Sequence, residues 1–337
     1  MPKKYLIAVL LLAVCFSGTI TDVKGAGKLA PSNQFSIGDS IGEGEAAEGV
    51  IGETYHFLVW STGYDQKDGV YSLNERFEFF CPEQYYENNA ARDNIFNHAV
   101  SGATMDDFVS QAQEIIAAVG SDPIQKAGMV TVLLGNNDVC ADSLEEMTDP
   151  LVFEAQYRAG LDVLAASDAT RKAYIHVSSI MPIYWLWNAL RDDFKCRVII
   201  WPFVPCQNLL ANPDNDCGSG DSHLDPDHIH PDDGPNCVRR KQVHAKIRDV
   251  YNPILRDVLQ EYIDDGRLPK AYYIDAFDVQ FDAEHVNKGD CFHPSVEGHA
   301  LLAEMQWDRS PWGIESPLCS PFPVTPFIYL LLLDDAT

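Results

Sequence analysis

The sequence predicts an α/β fold in which a parallel sheet is covered by helices on both faces. Three observations support this. Short apolar runs of strand length alternate with stretches of helical period. The run at 129–134 (MVTVLL) is apolar at nearly every position, as a strand buried on both faces is. Several runs also end in small polar turns, where parallel sheets place their sites.

Taken in order, the first strand falls at 35–37 and stops at Gly38-Asp39-Ser40. A second falls at 94–100 (NIFNHAV), before Ser101-Gly102-Ala103-Thr104. A helix follows over 105–119, with Met105, Phe108, Val109, Ala112, Ile115, Ile116 and Val119 on one face; Thr104 and Asp107 fit a capping box at its start. The strand at 129–134 closes at Gly135. Further strands are expected at 173–178 (AYIHVS), at 198–203 and at 271–276 (AYYIDA). A long helix over 243–263, kinked by Pro253, ends at Gly266, and a final helix spans 295–307. The aromatic patch at 183–187 (IYWLW) reads as core or pocket wall.

Composition narrows the function classes. The chain has 337 residues, with 46% hydrophobic and 22% charged, enough for a large core. A formal net charge of −26 argues against nucleic acid and anionic lipid headgroups as partners. Lys3 and Lys4 precede an apolar run at 5–16, the pattern of an export leader over 1–25. Cys15 is a weak lipid-anchor candidate because bulky Val14 precedes it. The apolar run at 327–333 is too short to span a bilayer, so no stable membrane span is expected. Eight cysteines remain after the leader, an even number suited to disulfides in an oxidising compartment; their pairing and the oligomeric state stay open. The domain is expected over 30–312, followed by a tail at 313–337.

One segment stands apart. Residues 212–237 are rich in Asp, His, Gly and Pro and read as an insertion loop closed by Cys217 and Cys237. Its Asp-x-Asp spacing makes a structural cation a candidate. The EF-hand pattern is not met, since Gly218 takes a ligand position and no Glu follows, and a solvated acidic loop is the simpler expectation.

Four short blocks can be assembled into one chemistry. Ser40 alone is an ordinary turn residue. A serine becomes a nucleophile when a base takes its proton, and the base needs a group to fix its tautomer. His293, with Asp290 three residues earlier, can supply both. An oxyanion needs aimed donors, which the Ser40 and Gly102 N–H groups and the Asn137 amide can provide. Glycine at 102 leaves its N–H open to approach. Asp138 is expected to bond local backbone, and His299 to pack. The order Ser first, His last excludes the trypsin-like order.

Gly-Asp-Ser, Ser-Gly-Ala, Gly-x-Asn-Asp and Asp-x-x-His, in this order over 35–307, resemble the SGNH (GDSL) hydrolase superfamily. The resemblance implies a flavodoxin-like three-layer α/β/α sandwich and cofactor-free ester hydrolysis. It implies Ser40, Asp290 and His293 as catalytic residues and Ser40, Gly102 and Asn137 as the oxyanion hole. GNNDVC at 135–140 and the segment 290–307 resemble the phospholipase B branch, which implies a lipid or phospholipid ester substrate. Ile41, where leucine is usual, and the 212–237 insertion depart from the pattern. The alternatives are a sugar O-acetyl esterase and a non-catalytic binding module on the same fold.

Overall fold

The computed structural model describes residues 28–65, 67–83, 96–119, 126–141, 143–210, 216–218 and 220–319. The expected leader, the tail beyond 319 and part of the 212–237 loop lie outside them. Four strands form one parallel sheet in the order β1 (Gln34–Gly38), β2 (Met129–Leu133), β3 (Tyr174–Ser178) and β4 (Tyr272–Ile274). Ile37 stands opposite Val132, Val130 opposite Ile175, and Val177 opposite Tyr273. Every residue of β1, β2 and β3 is buried, which requires cover on both faces.

Helices supply that cover. Phe35, Ile37, Val130, Val132, Ile175 and Val177 form one face. Helices Phe108–Ala118, Pro150–Ala166, Pro235–Lys246 and Asn252–Asp264 pack on it. Met129, Leu133, Tyr174 and Ile274 form the other, packed by helices Leu73–Phe80 and Val296–Asp308 and the turn Pro311–Ile314. Helix Pro150–Ala166, absent from the sequence expectation, carries start signals: Asp149 accepts from Leu151 N–H at 2.9 Å, and proline follows it.

Of the strand expected at 94–100, residues 94 and 95 lie outside the described residues and the rest forms only a short edge segment. Residues 97–100 run parallel along the free edge of β1 through a single bridge, Ser36–Asn97. His98 N–H donates to Ser36 O at 3.0 Å and Val100 N–H to Gly38 O at 3.1 Å. With this segment counted second in chain order, the lateral order becomes 2-1-3-4-5, the flavodoxin-like arrangement. Its switch point falls between β1 and β2, and the residues that follow both strands line one cleft.

The strand expected at 198–203 is helical instead. Lys195–Ile200 is a π-helix and Trp201–Phe203 a 3-10 turn. Cys196 and Trp201, five apart, are buried, while Phe194, Val198, Ile199 and Phe203 are exposed. The burial repeats every four to five residues rather than every two. The long C-terminal helix starts earlier than expected, at Pro235, and Pro253 is accommodated by a π turn, Ile247–Tyr251, rather than by a simple kink. Asn252 N–H closes that turn on Ile247 O, so the wider turn precedes the residue that has no N–H to give. Gly266, at φ +77°, ends the helix by donating to Ile263 O at 3.1 Å.

Disulfides join Cys81–Cys319, Cys140–Cys206, Cys196–Cys291 and Cys217–Cys237, in keeping with an oxidising compartment. The described part of the acidic loop is tied inward rather than solvated throughout. Asp233 and Lys241 pair at 2.8 Å with both side chains fully buried. Asp216 accepts from Asn236 N–H and Cys237 N–H at 2.8 and 2.7 Å, capping the helix that begins at Pro235. These two carboxylates therefore have protein donors. Among the described residues, no helix is long and apolar enough to cross a membrane.

Candidate active site

The turn after β1 is shaped by side chains from other segments. Gln111, buried on helix Phe108–Ala118, accepts from Gly38 N–H and donates to Gly38 O, both at 2.9 Å. Asp39 caps the one-turn helix Ser40–Glu43 by accepting from Ile41 N–H at 3.0 Å, and its other oxygen accepts from Asn136 Nδ2 at 2.8 Å. Asn136 Oδ1 in turn accepts from Met181 N–H at 3.2 Å. Burial pushes the Asp39 carboxyl up to about 6, against the Asn136 and Ile41 hydrogen bonds and the nearby His293 charge. Ser40 thus becomes the first residue of a short helix at the carboxyl end of β1.

Two further loops lock onto this turn. Glu43 Oε2 accepts from Ser101 N–H at 2.7 Å and from Ser101 Oγ–H at 2.6 Å. His56, lying 3.9 Å from the Glu43 carboxylate, and Ser101 hold that carboxyl below its ordinary value. From the loop after β2, Asn137 Nδ2 donates to Ala103 O at 2.9 Å, and Asp138 accepts from Met105 N–H at 2.8 Å. Gly102 is therefore held between the β1 and β2 loops. A Cβ there would meet no protein atom within 4 Å, and its φ of +79° favours glycine independently of any approach to its N–H.

The base comes from the far end of the chain. His293 Nδ1 lies 2.7 Å from Asp290 Oδ2, and Asp290 Oδ1 accepts from Phe292 and His293 N–H at 3.0 and 3.2 Å. With Asp290 ionised, Nδ1 carries the proton and Nε2 is left as an acceptor. Cys291, at φ +55°, is bonded to Cys196, and its carbonyl accepts from Trp201 Nε1 at 2.7 Å. His293 Nε2 also lies 3.8 Å from the Glu45 carboxylate. No hydrogen bond joins Ser40 Oγ to His293 among the described residues.

These groups meet on one cleft of about 720 Å³, its open mouth included. Ser40, Asn137 and His293 line it with Ile41, Val139, Met181, Ile183, Leu186, Phe281 and Phe292. Asp290 stands behind His293, and Gly102 is not among the residues that line the cleft; its neighbour Ala103 accepts from Asn137 Nδ2. Helix Ile183–Leu190 turns Tyr184 and Trp187 into the core and Ile183 and Leu186 toward the cleft. An apolar cleft with a hydroxyl, an imidazole–carboxylate pair and a side-chain amide can hold an acyl group and transfer it.

Sequence reasoning missed Gln111, Asn136 and Glu45. Gln111 had a signal: it shares the buried helical face with Phe108, Ala112 and Ile115. His299 is fully buried as expected, with neither ring nitrogen hydrogen-bonded. Burial, with the His293 charge, pushes its pKa down to about 3. Among the described residues, no group of three or more His, Cys, Asp or Glu could hold a metal ion. A family model described as GDSL-like Lipase/Acylhydrolase matches residues 35–305, a span that includes all four blocks. A search of curated proteins finds no match.

Proposed function

Because this chain belongs to the GDSL-like lipase/acylhydrolase family, we propose that it is an exported serine esterase that cleaves carboxylester bonds of lipids, with phospholipids foremost. The observation that carries this reading is the shared cleft: Ser40, Asn137 and His293 come from three separate loops and line one apolar space, with Asp290 on the far ring nitrogen. Ser40 Oγ attacks the ester carbonyl while His293 Nε2 takes its proton. Hydrogen bonds between nucleophile and base commonly tighten only when substrate is bound. The charge on the carbonyl oxygen is met by the N–H groups of Ser40 and Gly102 and by the Asn137 amide. Losing one such donor costs about 3 kcal/mol of barrier. The imidazolium, steadied by Asp290, returns the proton to the leaving alcohol. Water then attacks the acyl-enzyme by the same route in reverse and releases the acid.

The aliphatic and aromatic lining favours a long acyl chain over acetate. Four disulfides suit an exported protein, as does the leader-like sequence at 1–25. The test is hydrolysis of a p-nitrophenyl ester series and of phosphatidylcholine, with Ser40→Ala beside the parent. We expect rates to rise with acyl length and a loss of about 10⁴-fold or more in the variant. Activity confined to acetyl esters would contradict the lipid reading. Failure of a fluorophosphonate to label Ser40 would contradict the mechanism.

A further inference from the structure

The helical segment 194–203 exposes an apolar face that the cleft does not use. Phe194, Val198, Ile199 and Phe203 recur every four to five residues on one side, and Phe203 is 87% exposed. The opposite side is anchored to the base loop: Cys196 is bonded to Cys291, Trp201 Nε1 donates to Cys291 O, and Lys195 Nζ donates to Lys288 O at 2.6 Å. The other flank of that loop touches Gly49, whose carbonyl lies against Gly289, and the neighbouring Val50 and Ile51 are exposed. Exposed apolar side chains therefore stand on both sides of the loop that carries Asp290 and His293.

The charges around this face have a pattern. Lys195 and Arg197 belong to the segment itself and Lys288 to the base loop beside it, whose carbonyl Lys195 Nζ reaches at 2.6 Å, in a chain whose net charge is −26. Two acids adjoin it, Asp192, which lies 3.6 Å from Arg191, and Asp193, which accepts from Cys196 N–H at 3.1 Å. Across the loop, Glu48 and Glu53 bracket Val50 and Ile51. Cations beside one apolar cluster and carboxylates beside the other match a surface that displays both phosphate and quaternary ammonium. The net charge disfavours a surface of anionic headgroups alone.

We propose that the exposed face of 194–203, with Val50 and Ile51, docks this enzyme on a zwitterionic phospholipid surface and presents the cleft to it. The proposal rests on the lipid-ester reading above. Docking brings the cleft to substrate that is scarce in free solution. The Cys196–Cys291 bond ties the docked segment to the loop bearing the base.

The experiment is flotation of the Ser40→Ala chain, which cannot consume the lipid, with phosphatidylcholine vesicles. We expect binding, weaker binding to phosphatidylglycerol vesicles at low salt, and a loss of about tenfold or more on adding Ile199→Ser and Phe203→Ser. With Ser40 intact, the same two substitutions should leave hydrolysis of soluble p-nitrophenyl butyrate within about twofold of the parent, which also reports correct folding. Absence of flotation, undiminished flotation of the substituted chain, or preference for phosphatidylglycerol would overturn the proposal. So would a dimer abolished by the two substitutions in a chain that does not float, which would assign the face to a second copy. Flotation without phosphatidylcholine hydrolysis by the parent would leave docking standing and remove the lipid-esterase reading instead.

Discussion

The two halves of the candidate site are held in place by different means. On the nucleophile side, Ser40, Gly102 and Asn137 sit at or beside strand ends, and buried side-chain hydrogen bonds from Gln111, Asp39, Asn136 and Asp138 knit their loops together. On the base side, His293 and Asp290 lie on a loop before helix Val296–Asp308. That loop is held by the Cys196–Cys291 bond, the Trp201 indole and a lone bridge, Val286–Pro294. The first half inherits rigidity from the sheet. The second lies after the short strand β4 and depends on a covalent bond to a segment 95 residues away in sequence. Both halves carry a crosslink, since Cys140, three residues past Asn137, is bonded to Cys206; what sets the nucleophile half apart is its direct attachment to strand ends.

Breaking the base half at its chemistry should give the largest effect. Asp290→Asn can favour the wrong His293 tautomer with little change in shape, and kcat should fall about 10⁴-fold. A fall of less than tenfold, measured on a soluble ester, would mean that Asp290 does not orient the ring. The crosslink comes next. Cys196→Ala with Cys291→Ala should cost about 2–4 kcal/mol of stability and about 10²-fold in rate, because the loop can shift by an ångström. Mild reduction should likewise lower activity before the circular dichroism of the sheet changes; loss of both together would count against a positioning role.

The nucleophile half offers the matching test. Gln111→Leu leaves Gly38 N–H and O without their buried partners and should destabilise the chain by about 1–3 kcal/mol for each, as read by urea denaturation. Its rate on a soluble ester should suffer less than that of the crosslink variant, since the sheet still holds the turn. The reverse ranking would mean that the comparison is misdrawn.

The smallest effect is expected at His299, beneath the base loop. Its pKa is pushed down to about 3, and that of His176 to about 4, in both cases by burial. The unfolded chain binds these protons below about pH 6.5 and the folded chain does not. Their stability contribution is therefore complete above pH 6.5 and is lost progressively as pH falls toward 4 and 3. Replacing His299, whose ring nitrogens have no hydrogen bond, with leucine should be neutral or slightly stabilising at pH 7 and should flatten the acid limb of Tm against pH. An acid limb as steep as the parent's would assign the loss to other groups.

The sheet's second face shows why some of this was hidden. Along β3, His176 and Ser178 alternate with Ile175 and Val177, a pattern that by itself suits a face turned to water. In the fold these polar residues are buried in a network: Gln306 Nε2 donates to Ser178 Oγ at 2.6 Å and its Oε1 accepts from His176 Nε2 at 2.6 Å, while Tyr272 OH reaches His176 Nδ1 at 3.0 Å. Gln306 is 130 residues from His176, so no local pattern announces the pairing.

By itself, the sequence determined what depends on local chemistry. Residue type and spacing decide where an apolar run ends, which turn follows β1, β2 and β3, and that Asp290 can reach the imidazole three residues on. The four blocks were legible for that reason, as was the α/β class. Only the tertiary structure decided what depends on long-range packing. It reduced the segment at 97–100 to a bridge on β1, wound 195–203 into helix around Cys196 and Trp201, and paired the cysteines. It also turned Gln111 and Asn136 onto the nucleophile turn and brought Glu45 to the base. Each of these contacts joins residues far apart in the chain, and their energy exists only once the sheet has brought them together.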